Sequence, residues 1–211
     1  MFSKLSILTI LLIAITLFWG CLGGIGNSGR DFDSSVRNKI TVGITQRKDI
    51  LPFLGDPESK KLLTIGRKSH EEYLYKYWKD ESPLIQTEYD ISYLHGKLLT
   101  IEFIDSTVNG FSFTSLFDKD STTFDIRAVN SIVTDQTSEA TVIKLIGKPH
   151  GKILLPSSFV SANVDVPVGA TYAFMYHTSS MNKQTNKREL QSAFLFFDAN
   201  GIVRKLIVRN K

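Results

Sequence analysis

The sequence predicts an α+β fold made of two tandem repeats, each a short helix pair packed on a three- to four-stranded antiparallel sheet. Three observations predict it. Residues 33–57 return as 125–149 at an offset of 92 without a gap, with Asp33, Asn38, Ile40, Thr45, Gly55 and Pro57 recurring as Asp125, Asn130, Ile132, Thr137, Gly147 and Pro149. A gap-free recurrence of this kind is the mark of an internal repeat. In both copies an apolar helical face follows, Ile50, Phe53 and Leu54 in one and Val142, Leu145 and Ile146 in the other, at i, i+3 and i+4. In both copies an aromatic strand pattern comes next, Tyr73, Tyr75 and Tyr77, then Tyr172, Phe174 and Tyr176.

The elements follow in order. Lys4 precedes an apolar run from Leu5 to Trp19, and Gly20 and Cys21 end it. This is the pattern of an export signal. Cys21 is the one cysteine of the chain, and its place suggests a lipoprotein signal over residues 1–20 with lipid, palmitate included, on Cys21. The alternative is an uncleaved inner-membrane anchor over residues 5–25, long enough to span a bilayer. Leu22, where an Asp would favour retention at the inner membrane, points the lipid anchor to the periplasmic face of the outer membrane. Residues 21–32 are Gly-rich and are expected as a flexible tether.

The first unit is expected over 33–117. Asp33 should cap a first helix and Thr45 a second. Gly55 ends that helix and Pro57 prevents its restart. Pro52 lies inside it and removes one hydrogen bond. The pair in "EYDISYLHGKLLTIEFI" is expected to turn near His95-Gly96. Residues 118–124 are the expected connector; the four Phe residues within 105–124 suggest a segment that extends the first sheet or plugs the junction. The second unit, 125–211, repeats the order, with Asp125 and Thr137 as caps and a hairpin at Asn200-Gly201.

These residues resemble the SmpA/OmlA family of outer-membrane lipoproteins. The resemblance is carried by Val42, Gly43, Thr45, Ile50, Leu54, Gly55, Pro57, Tyr73, Tyr75 and Gly96, and in the second copy by Thr137, Val142, Ile146, Gly147, Pro149, Tyr172 and Gly201; Asp135 stands where the first copy has Gly43. It implies envelope partners, β-barrel assembly components among them, and a role in outer-membrane assembly or integrity. Two tandem units also resemble the architecture of the β-lactamase inhibitory proteins, which implies an inhibitor or ligand-binding role.

Composition and motifs narrow the chemistry. The formal charge of +4 comes from 25 basic and 21 acidic residues without a basic stripe, so no nucleic-acid partner is expected. His70, His95, His150 and His177 have no metal-ligand spacing, and no nucleophile elbow, phosphate loop or dinucleotide glycine pattern occurs. No enzyme activity, cofactor or metal is expected. The aromatic strands read either as core or as an exposed binding face; in the second case Tyr73 and Tyr75 are partner-binding residues. Segment 152–169, with Leu154, Leu155 and Phe159, reads either as a loop over its own core or as a docking insertion.

If Cys21 carries the lipid, Cys21→Ala abolishes incorporation of a fatty-acid analogue and leaves an unprocessed precursor. Metabolic labelling of both proteins checks this; equal label in the two contradicts it.

Overall fold

The computed structural model describes residues 27–80, 94–120, 122–160, 164–182 and 187–210. The expected signal peptide, Cys21 and the alternative anchor over 5–25 lie outside them. Among the described residues no helix is long and apolar enough to cross a membrane.

Among the described residues nine strands form one antiparallel sheet: β1 (Ser28–Gly29), β2 (Ser59–Ile65), β3 (Lys68–Asp80), β4 (Leu94–Ile104), β5 (Thr107–Ser115), β6 (Gly151–Leu154), β7 (Ala170–Asn182), β8 (Lys187–Asp198) and β9 (Val203–Asn210). From β3 onward the order is sequential, β3-β4-β5-β6-β7-β8-β9, and β1 and β2 share the outer edge of β3. Two α-helices of eight residues, α1 (Arg47–Leu54) and α2 (Glu139–Ile146), lie on one face.

This corrects the predicted fold class. The molecule is not two tandem α+β units, each with a helix pair on its own three- to four-stranded sheet. It is mostly antiparallel sheet, and the helices are few and short. Each expected helix pair keeps one α-helix; the other member is a short 3-10 helix, Ser34–Lys39 or Ala128–Ser131. Two separate sheets do not exist because β5 and β6 pair, Gly110 with Ile153, Phe111 with Lys152 and Ser112 with Gly151. Both glycines permit that approach. A Cβ on Gly110 would lie 2.5 Å from Ile153 Cγ2, and one on Gly151 would lie 2.4 Å from the Phe111 carbonyl oxygen.

What recurs is local: the helices and the glycines that end them keep the offset of 92, and equivalent contacts from the sheet recur at somewhat larger offsets. Helices α1 and α2 begin at Arg47 and Glu139. The Arg47 N–H donates to the Ser106 carbonyl and the Glu139 N–H to the Gly201 carbonyl, each at 2.8 Å. Each helix start is therefore hydrogen-bonded to the turn of a hairpin. Tyr75 Oη donates to the Gly55 carbonyl at 3.4 Å, and Tyr176 Oη to the Gly147 carbonyl at 2.9 Å. A tyrosine from the sheet thus satisfies a carbonyl at each helix end.

The caps differ from expectation. Thr45 and Thr137 stand one residue before the helix caps, which are Gln46 and Ser138. Their hydroxyls accept instead from the backbone of the preceding turn, from Thr41 N and Val133 N, at 2.8 Å each. Asp33 caps the first 3-10 turn by accepting from Ser35 N at 2.8 Å. Asp125 accepts from Arg127 N at 2.9 Å, ahead of the second turn.

Two hairpin expectations separate. Asn200-Gly201 is a turn, between β8 and β9, with Gly201 at φ 75. His95-Gly96 is not a turn: both residues lie in β4, Gly96 opposite Trp78. The actual turn after β4 is Asp105-Ser106, at φ 49 and 67. Two successive positive φ values give the twist that a tight hairpin needs. The expected tether is also docked at its described end, since β1 pairs with β3 and Phe32 is buried.

Three apolar clusters hold the sheet. One lies under α1, with Ile50, Leu54, Tyr73, Tyr75, Leu99, Ile101 and Phe113. A second lies under α2, with Val142, Ile146, Phe174, Tyr176, Leu195 and Phe197. The third is on the opposite face, where Ile153, Ala173, Met175 and Phe196 are covered by Leu155, Phe159, Val160 and Val164. Phe53, expected on the apolar face of α1, is 54% exposed, with the Lys39 ammonium 3.5 Å from its ring centroid. The outer edges carry basic side chains: Lys60 and Lys61 on β2, Arg204, Lys205 and Arg209 on β9.

Gly55 and Gly147 end the helices at φ 69 and 87, with ψ −154 and −177. This extended, positive-φ region is almost restricted to glycine. A Cβ on Gly147 would meet nothing within 4 Å, so any substitution cost there is backbone strain alone. Gly147→Val should destabilise the protein by about 1–3 kcal/mol. Urea unfolding followed by circular dichroism measures it; an unchanged midpoint contradicts the assignment.

Candidate functional site

Strand alternation assigns every side chain of the sheet to one of two faces. Tyr73, Tyr75 and Tyr77 of β3 point to the helices. Leu74, Lys76 and Trp78 point to the other face, joined there by Leu98 and Thr100 of β4 through the pairs Lys76–Leu98 and Leu74–Thr100. Ser112 and Thr114 of β5 belong to the same face through Thr100 and Leu98. On the far side of the seam His177 of β7 and Leu190, Ser192 and Phe194 of β8 join them.

Among the described residues, one half of this open face is covered and the other is not. The loop after β6 folds over Ile153, Ala173, Met175 and Phe196. Beyond Gly151 strand β6 does not exist, while β5 continues to Ser115 and β7 to Asn182. The sheet is therefore split at this end. A cavity of about 570 Å³ occupies the split, walled by Trp78, Leu98 and Leu116 on one side and by His177, Leu190 and Phe194 on the other. Ser112 Oγ and His177 Nε2 meet across the split at 3.3 Å. Leu190 is 56% exposed.

Trp78 depends on Gly96. A Cβ built on Gly96 would lie 2.1 Å from Trp78 Cε3, so the indole lies flat across β4 only because its partner has no side chain. Two charged residues border the groove. Lys97 is turned to the helix face, where Nζ bonds the Phe32 carbonyl oxygen and lies 2.6 Å from Asp31 Oδ1. The Arg209 guanidinium stands 5.9 Å from the Phe194 ring centroid. The groove is apolar in its walls and hydroxyl-bearing between them.

The covered half is fixed by a buried carboxylate. Glu102 of β4 is fully buried. Its Oε1 accepts from Ser158 N at 2.6 Å and from His70 Nδ1 at 2.7 Å. Its Oε2 accepts from Ser157 Oγ at 2.6 Å and Asn109 Nδ2 at 2.7 Å. Burial pushes the Glu102 carboxyl up, but the hydrogen bonds from Ser157, Asn109, Ser158 and His70 outweigh it and hold the group below the usual carboxylate range. His70 Nε2 is buried without a partner among the described residues. The arrangement fills both oxygens of Glu102 and leaves no lone pair aimed at a ligand. It is a latch between β4 and the loop after β6.

The residues proposed from sequence fall elsewhere. Tyr73 and Tyr75 are each 4% exposed and belong to the core under α1, so they form no binding face. Leu154, Leu155 and Phe159 are half-buried, and Leu155 and Phe159 pack on the third cluster as a loop over its own core. His70 lies within β3, not in a loop. Glu71 pairs with Arg47 at 2.5 Å, and Glu72 accepts from Ser158 Oγ at 3.2 Å. Among the described residues no group of three or more His, Cys, Asp or Glu side chains is placed to hold a metal. Trp78 and Leu190 escaped sequence reading, although the alternation that buries the tyrosines of β3 also assigns Trp78 to the opposite face.

No protein-family model matches the chain, so the SmpA/OmlA resemblance stands on the quoted residues alone. No curated protein matches either. Among solved structures, the chain is similar to a "putative beta-lactamase inhibitor protein" from Streptococcus mutans, at 12% identity and a TM-score of 0.46, over 85% of this chain and 98% of that one. At that identity and score nothing about activity passes from that protein to this chain.

Two predictions follow from the latch and the split. Glu102→Ala leaves four buried donors without their acceptor and should destabilise the protein by roughly 3–5 kcal/mol, read as a shift in the urea midpoint. The second concerns pH. Burial lowers the His177 imidazole to about 4. Burial, then the charges of His177 and Arg37, lower His150 to about 4 as well. Unfolding releases both to about 6.5, so between pH 6.5 and 4 the unfolded chain binds more protons. Stability therefore falls as pH drops through that window, by up to about 1.4 kcal/mol per pH unit for each imidazole. His177→Gln should remove part of this slope, measured as urea midpoints at pH 7 and pH 4.5. An unchanged slope contradicts the assignment.

Proposed function

We propose that this chain is a non-catalytic, lipid-anchored envelope protein that binds another protein in the groove between β5 and β7, in the service of outer-membrane assembly or integrity. The observation that carries the binding role is the half of the open face left uncovered among the described residues, where Trp78, Leu98, Leu190 and Phe194 line one continuous cavity. Exposed apolar surface of this kind costs solubility and is kept where it contacts something. Trp is among the residues that contribute most at protein interfaces. The groove takes apolar side chains of a partner segment, and the hydroxyls of Ser112, Thr114 and Ser192 supply hydrogen bonds to its backbone. Anchoring through Cys21 at the periplasmic face of the outer membrane supplies the location. No reaction is assigned to the chain.

A photo-crosslinking residue at position 78 or 190 tests the reading, with position 62 as control; Leu62 is 69% exposed on β2, outside the groove. The expected result is one discrete envelope adduct from both groove positions and none from the control. A barrel-assembly component in that adduct supports the assembly role, and a soluble enzyme supports the inhibitor alternative. No adduct from either groove position, or an equal adduct from position 62, overturns the reading.

A further inference from the structure

We propose that the groove also shelters an acyl chain carried by Cys21, so that the protein's own anchor and its partner compete for one site. This rests on the readings of Cys21 as lipidated and of the groove as the binding site, and it adds regulation to that site.

Ser28 pairs with Trp78 and Gly29 with Tyr77, antiparallel. Traced toward the N-terminus, the backbone at Ser28 therefore points in the direction in which β3 advances to Asp80. That is the end of β3 at which Trp78 forms a wall of the groove. The exit is fixed by a close approach: Gly29 has φ 81, and a Cβ on it would lie 2.2 Å from the Lys76 carbonyl oxygen. From Ser28 back to Cys21 is seven residues. Fully extended, they reach about 24 Å. The groove entrance at Trp78 is within that reach.

The lining suits a hydrocarbon chain. The walls are Trp78, Leu98, Leu116, Leu190 and Phe194, with the hydroxyls of Ser112, Thr114 and Ser192 between them and Arg209 at the border. Lys97 is engaged on the opposite face. The cavity of about 570 Å³ falls within the roughly 300–1,000 Å³ of small-ligand sites. With the acyl chains in a bilayer the groove is free for the partner. Outside a bilayer one chain fills it, which removes two apolar surfaces from water at once. Partner binding is then confined to the anchored protein.

The test uses the full chain, labelled in cells with a photoactivatable diazirine fatty acid, purified, and irradiated in detergent-free buffer or in phosphatidylethanolamine vesicles. In buffer the expected crosslinks join the acyl chain to peptides containing Trp78 or Leu190. In vesicles they fall by at least about fivefold, as the bilayer competes for the chain. Leu190→Asp and Ser192→Trp, one charging the groove and one filling it, should each reduce the crosslink in buffer; Val168→Asp, at a position 99% exposed, should not. Label on Cys21 with groove crosslinks no stronger than those to the Leu62 peptide overturns the sheltering and leaves lipidation standing. Groove crosslinks unaffected by both variants overturn it too. Wild-type protein without label overturns the lipidation reading, and the proposal with it.

Discussion

The three-residue pairing of β5 with β6 is the contact on which the rest of the molecule depends. It converts what would be a five-stranded and a four-stranded half into one sheet, and it is possible only because Gly110 and Gly151 present no side chain to the opposing strand. So short a seam is weak alone. Glu102 reinforces it by holding Asn109 on one side and Ser157 and Ser158 on the other. A buried carboxylate is tolerable only when fully hydrogen-bonded, and here it has four donors. Where the seam stops, the split begins. The shortness of β6 therefore determines both the continuity of the sheet and the groove within it.

Much of the local structure was legible in the sequence. The positions of α1 and α2, the glycines that end them and the turn at Asn200-Gly201 follow from side-chain chemistry within a few residues of each site. The misreadings have physical causes. His95-Gly96 looks like a turn because glycine permits one, but here Gly96 makes room for an indole from the next strand. Asp105-Ser106 carries no glycine, yet takes two positive φ values because Asp and Ser can hydrogen-bond locally in such turns. Thr45 and Thr137 were each one residue early as helix caps, since a threonine hydroxyl serves a preceding turn as readily as a following helix.

The fold class was misjudged for a different reason. Repeats at a fixed offset suggest separate units, and nothing within either copy shows that the last strand of one will pair with the first strand of the other. The candidate site was legible only in part. The alternation of β3 puts Tyr73 and Tyr75 on one face without deciding whether that face is core or binding surface, and it leaves Trp78 unremarked on the other. The Glu102 latch joins residues up to 56 positions apart, and no spacing in the sequence announces it.

The basic side chains along the two outer edges have a consequence of their own. An open sheet invites further strands, and lysine or arginine at an edge is a common deterrent. Here both ends of the ladder, β2 with Lys60 and Lys61 and β9 with Arg204, Lys205 and Arg209, carry the same sign. On β9, Arg204 is ion-paired with Asp135 and Asp198 and Lys205 with Asp165, so the repulsion is clearest where two β2 edges would set Lys60 and Lys61 against their counterparts. A foreign strand carrying aspartate or glutamate would meet no such barrier at β2, so the charge of that edge separates self-pairing from extension by an acidic segment.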